Sequence, residues 1–92
     1  MATERLADVA AQVAGRAAYV YMDKHGLKAE PSALAESLKA MVKLRMGEAL
    51  HDAKEALDCG MRKMAEMAFV ATMIEAGIDA AKEAGFPAGG AQ

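Results

Sequence analysis

No proline falls between Pro31 and Pro87, so over that stretch nothing obliges a helix to end. Gly60, in "LDCGM", is the one plausible break before Gly77. The residues around it are helix formers. Hydrophobic residues make up 54% of the chain, but alanine is by far the largest share of them, followed by eight methionines; Trp is absent, and Phe and Tyr number two each. Alanine, methionine, leucine, glutamate and lysine have high helix propensity, and β-branched residues are few, so the chain reads as all-α. Its core must be built from alanine, which lets helices approach closely, and from methionine, which fills irregular gaps.

Whether residues 32–84 form one helix or two decides the architecture. An apolar stripe of Val42, Met46, Ala49, Leu50, Ala53, Leu57, Met61, Met64 and Ala68 passes through Gly60 in phase. A break at Gly60 ends one helix on Glu55 and Asp58 and opens another on Arg62 and Lys63, charges that oppose the macrodipole at both ends. Against continuity stands length, because a helix of about fifty residues lies far above the mean of about 11–12. Local chemistry favours continuity. The expectation is therefore an antiparallel helical hairpin with a long second helix, assembling as an oligomer. A break at 58–60, giving a three-helix bundle with helices of roughly 23, 26 and 24 residues, is the alternative.

The first helix is expected over residues 3–25. Thr3 suits the N-cap, and Leu6, Val9, Ala10, Val13, Ala17, Val20 and Tyr21 follow at three- and four-residue spacing on one face. Ala7-Ala11-Gly15 and Ala10-Ala14-Ala18 add ridges small enough for close backbone approach. In "DKHGLK", Gly26 offers the left-handed position after a helix C-terminus and Leu27 its accompanying contact. Pro31 suits the first turn of the next helix, with Glu30 or Ser32 as cap. Gly85 reads as a helix stop and residues 87–92 as a flexible tail, so residues 1–86 form a single helical domain.

Beyond Met67 the apolar face changes sides. Phe69, Val70, Met73, Gly77, Ala80 and Ala81 occupy the side that carried Glu48, His51, Glu55 and Cys59, while Glu75, Asp79 and Lys82 occupy the formerly apolar side, at about 100° per residue. A helix that buries opposite faces along its length needs two partners. The first helix spans only about 35 Å against roughly 80 Å for a continuous second one. The far half, with Met61, Met64, Met67, Phe69, Val70, Met73, Ile74 and Ile78, is then uncovered within the chain, and an exposed patch of that size marks an interface. A homo-oligomer is predicted, with a dimer favoured.

Charge and length narrow the functional classes. Net charge is −2 with 26% charged residues, which is not the footprint of a nucleic-acid binder. Lys39, Lys43, Arg45, Arg62 and Lys63 fall on several faces and are interleaved with acids, unlike a phosphate-tracking stripe. The longest run free of charge and histidine, Met67 to Ile74, is far short of a membrane span, and Glu4, Arg5 and Asp8 interrupt any signal-peptide core. One cysteine excludes an internal disulfide and suits a reducing compartment. A cytoplasmic protein is expected.

One constellation carries candidate chemistry. Glu48, His51, Glu55 and Cys59 in "GEALHDAKEALDCG" lie on one helix face, and Glu48-x-x-His51 has the spacing of a helical metal-ligand pair. A two-fold interface would double it. The first helix supplies no inward glutamate to complete a ligand set, and these residues oppose the apolar stripe. An ordinary solvated face with His51–Glu55 as helix neighbours is the weightier account. Cys59 alone could be a reactive thiol, but the chain offers it no resolving partner. Without a strand, a phosphate loop or a Ser/His/Asp arrangement, the chain reads as non-enzymatic and free of cofactors. The leading expectation is a helical protein–protein interaction module, a self-assembling scaffold, adaptor or small inhibitor whose contact is centred on residues 61–78. The rival is a small metal-binding or redox protein using Glu48, His51, Glu55 and Cys59.

Overall fold

The computed structural model describes residues 2–88, with side chains from Arg5 onward. Three helices follow in order: α1 (Ala2–Lys24), α2 (Pro31–Asp58) and α3 (Arg62–Ala84). Two short strands, β1 (Leu27–Lys28) and β2 (Phe86–Pro87), pair antiparallel with Leu27 opposite Pro87. The bundle measures 53 × 23 × 15 Å, and α3 packs against both other helices, which touch each other little.

The second helix breaks at Gly60, so the expected continuous helix gives way to the three-helix alternative. Gly60 takes φ +76°, a left-handed conformation that costs other residues roughly 1–2 kcal/mol. Its N–H donates to the Leu57 carbonyl at 2.9 Å, and the Met61 N–H donates to the Ala56 carbonyl at 2.8 Å. This bond pair is the Schellman stop, which satisfies carbonyls a helix end otherwise leaves open. The unfavourable end charges are indeed present, with no base in the last turn of α2 and no acid in the first turn of α3. They cost about 0.3–1 kcal/mol each at an exposed site. Folding α3 back buries Phe69 and Met73, worth about 1.5–3 kcal/mol apiece. Burial wins.

The break also resets the phase of the apolar stripe. Met61 and Met64 continue the α2 stripe in sequence, yet both are exposed. The inward face of α3 is Ala65, Phe69, Thr72, Met73, Ala76, Gly77, Ala80 and Ala81. Its two partners are α1 and α2 of the same chain. Ala10, Ala49, Phe69 and Met73 form one core cluster; Ala18, Met22, Leu34 and Ala81 form the other. Of the two small-residue ridges in α1, Ala10-Ala14-Ala18 is fully buried, whereas Ala7 and Ala11 face water. At Gly77 the two helices come so close that a Cβ would overlap the Ala14 carbonyl and lie 3.0 Å from the Ala14 Cα.

The connections follow their local chemistry. Gly26 takes φ +64° after α1, and Leu27 packs on the second core cluster. Pro31 occupies the first turn of α2 behind Glu30, whose side chain makes no cap bond; the Glu30 carbonyl accepts from Leu34 N–H at 2.9 Å. The helix α1 begins at Ala2, one residue ahead of Thr3, and the Thr3 side chain lies outside those described. Strands were not expected from the sequence. Pro87, assigned there to the tail, is paired in β2, and the Ala88 N–H donates to the Gly26 carbonyl at 2.8 Å. Residues 89–92 lie outside the described residues. No described helix is long and apolar enough to cross a membrane.

Candidate interaction surface

The polar face of α2 carries part of the anticipated constellation. His51, Asp52 and Glu55 bring one ligand atom each within 4.8 Å of one another, and His51 Nε2 lies 3.6 Å from Glu55 Oε2. Glu48 and Cys59 are not in this group. Glu48 turns toward Arg45, 3.9 Å from Nη1, and Cys59 is exposed just past the end of α2. All three clustered donors come from one helix turn, with His51 and Glu55 facing water. A tetrahedral zinc site takes a fourth ligand and hydrogen-bonded outer support, and no other described residue joins the group. Because Cys59 is exposed, Cys59→Ser is expected to change stability by less than about 0.5 kcal/mol, the range of ordinary surface substitutions. A thermal melt displaced by more than this would show that the thiol is engaged.

A polar clamp joins α2 to α3. Arg45 donates from Nη2 to Asp79 Oδ2 at 2.6 Å and from Nη1 to Glu75 Oε1 at 3.0 Å. Its side chain is 27% exposed. The hydrogen bond to Asp79 holds the guanidinium above its ordinary pKa against the opposing effect of burial, with the charges of Asp79, Glu75 and Glu48 acting the same way as the bond. The sequence signal was available: Arg45 and Glu75 stand equally far from Gly60 on either side, so a turn there brings them together. Arg45→Lys is expected to lose about 1 kcal/mol, since an ammonium does not reproduce a fork reaching two separate carboxylates. Chemical denaturation of that variant beside Arg45→Met checks whether the bonds or the stem packing matter.

The eight residues placed at the expected interface divide three ways. Phe69 and Met73 are core, Met73 with 0% exposure, so the partner the sequence analysis sought for them in another chain is supplied by α1 and α2. Val70 and Ile78 are half-buried. Met61, Met64, Met67 and Ile74 are exposed, Met64 at 57%, Met67 at 65% and Ile74 at 39%. The outward residues of α3 share a spacing that Phe69 and Met73, which belong to the inward face, obscure in the sequence. Met64, Met67, Ala71, Ile74 and Ile78 recur at alternating steps of three and four, the heptad spacing of a helix contact seam. Ala71, the central member, is also exposed.

Two apolar grooves lie beside α3, the first on this outer side and the second on the side of the inward-facing Ala65 and Phe69. The first, of about 540 Å³, runs between Ile74 and Ile78 of α3 and Val13, Ala17, Val20 and Tyr21 of α1. Arg16, Lys24 and His25 rim it, and the Tyr21 and His25 rings lie 4.2 Å apart. The second, of about 680 Å³, lies where all three helices meet; Leu6, Val9, Leu50, Leu57, Phe69 and Val70 form its apolar wall. Such grooves between amphipathic helices are suited to receiving another helix. Scattered apolar residues are normal on a protein surface, as at Leu44 and Phe86, but a ridge with grooves beside it is not scattered. Compared with protein-family models, with curated proteins and with solved structures, the chain matches none.

Proposed function

We propose that the protein is a non-enzymatic helical interaction module that works by self-association, serving as a scaffold, adaptor or small inhibitor. The observation that carries this reading is the outer side of α3, where Met64, Met67 and Ile74 are exposed and Ile74, with Ile78, walls an apolar groove against α1. Exposed apolar surface that is contiguous, rather than scattered, is the usual mark of a protein contact. Methionine-rich surfaces adapt their shape to a partner, which fits an adaptor. A cytoplasmic, reducing setting suits the exposed single thiol, which would otherwise be prone to oxidation.

Self-association stabilises the fold by mass action, so the melting temperature of the purified protein should rise with protein concentration. A melting temperature that stays constant over a hundredfold concentration range would remove the basis for self-assembly.

A further inference from the structure

We infer that the second copy docks antiparallel along α3, with Ala71 at the two-fold axis and the methionines of each copy seated in the first groove of the other. This inference rests on the self-association reading above and adds the occupant and its direction. In the seam Met64, Met67, Ala71, Ile74, Ile78, the outer pair is equidistant from Ala71 and the inner pair is within one residue of being so. An antiparallel pairing about Ala71 sets Met64 against Ile78 of the other copy and Met67 within one residue, about 1.5 Å of helical rise, of its Ile74. A parallel pairing sets each residue against its own equivalent.

Shape decides between the two. The seam is unlike at its ends. Its N-terminal half projects, with Met64 and Met67 more than half exposed and lining neither groove beside α3. Its C-terminal half is recessed, with Ile74 and Ile78 forming one wall of the groove against α1. Antiparallel docking puts flexible projecting side chains into a groove of about 540 Å³. Parallel docking stacks projection on projection and leaves both grooves empty. Small residues help at the axis, since Ala71 permits close approach of the two helices. Antiparallel alignment also opposes the two helix macrodipoles, which parallel alignment does not. Two heptads are too few for a free-standing coiled coil, but here α1 stands beside each α3 and widens the contact.

Disulfide trapping tests this on the full-length chain. In a Cys59→Ser background, single variants Ala71→Cys and Met64→Cys and the double variant Met64→Cys with Ile78→Cys are oxidised and run on non-reducing gels. The account expects covalent dimers from Ala71→Cys and from the double variant, and at least tenfold less from Met64→Cys alone. Wild-type protein is the collision control. Its exposed Cys59 lies in the turn before α3, whose stretch from Arg62 to Ala71 alone spans about 14 Å by helical rise, and antiparallel docking holds the two copies of it at opposite ends. Strong trapping by Met64→Cys alone, or by wild-type Cys59, means a parallel pair and overturns the inference. Failure of Ala71→Cys to trap overturns it as well. The native mass of that same sample then separates two cases: a dimer joined through another surface, which keeps the interaction reading, and a monomer, which ends both. Circular dichroism of each variant confirms that it is folded before trapping is scored.

Discussion

Gly77→Ala is expected to destabilise the protein by about 2 kcal/mol, although the same change in an open helix stabilises by about 0.8–1.0 kcal/mol. The sign reverses because of what faces Gly77. A Cβ at this position would overlap the backbone carbonyl of Ala14, and backbone cannot swing aside as a flexible side chain does. The helix α1 must shift as a unit, disturbing the contacts of Ala10 and Ala18 above and below. Overpacking of this kind costs about 1–3 kcal/mol, sometimes more. For a domain of this size each kcal/mol moves the melting temperature by about 4–8 °C. Gly47→Ala is the control. Gly47 lies within α2, faces water and has no atom within 4 Å of the Cβ position. Its substitution should therefore raise the melting temperature. If both alanine variants gain stability, α1 does not lie against α3 at Gly77.

Met73→Glu should have the larger effect, removing about 4 kcal/mol or more and with it most of the helicity. Met73 is fully buried in a cluster with Ala10 of α1, Ala49 of α2 and Phe69, against which Val13, Val42, Met46 and Ala53 pack. A carboxylate there is either buried unpaired or protonated, and each alternative costs several kcal/mol. A small domain with a total stability of about 5–15 kcal/mol has little left after that loss. Helices in water draw most of their stability from packing, so the circular dichroism signal falls with the core. Met67→Glu, two turns earlier on the outer side of the same helix, is the informative contrast. It places a charge on a 65% exposed position and should keep the helical spectrum. A folded Met73→Glu protein would mean that the inward and outward faces of α3 have been interchanged.

How far the sequence could lead is seen at particular residues. Around α1 several local signals matched what the fold shows: the Ala10-Ala14-Ala18 ridge packs, Gly26 turns left-handed, and Pro31 starts the next helix, whereas the Ala7-Ala11 ridge and Leu6, Val9 and Val20 are exposed. Around Gly60 the signals conflicted. The apolar stripe kept its phase and the end charges argued against a break, yet both are weak beside the burial of Phe69 and Met73. The phase was coincidental, because the turn at residues 59–61 rotates α3 so that Met61 and Met64 leave the core. The switch of the apolar face after Met67 was legible, and it did signify a second partner. The cover comes from α1 and α2 of the same chain, which no local pattern could distinguish from another chain.

The candidate sites divide along the same line. His51 and Glu55 meet because helix geometry alone sets residues four apart side by side. The clamp of Arg45 on Glu75 and Asp79 depends on a tertiary turn, so it was read as solvated charge. The heptad spacing from Met64 to Ile78 was present in the sequence but masked by Phe69 and Met73, which belong to the other face. Separating an inner from an outer apolar face requires knowing where α1 lies, and the contact at Gly77 settles that.

Sedimentation equilibrium of the wild type beside Met67→Glu tests self-association through α3 most directly. The account predicts twice the chain mass of 9.6 kDa for the wild type and a single chain mass for Met67→Glu, with helical spectra that match. A wild-type protein that sediments as a single chain at every concentration, or a Met67→Glu variant that remains dimeric, would contradict it.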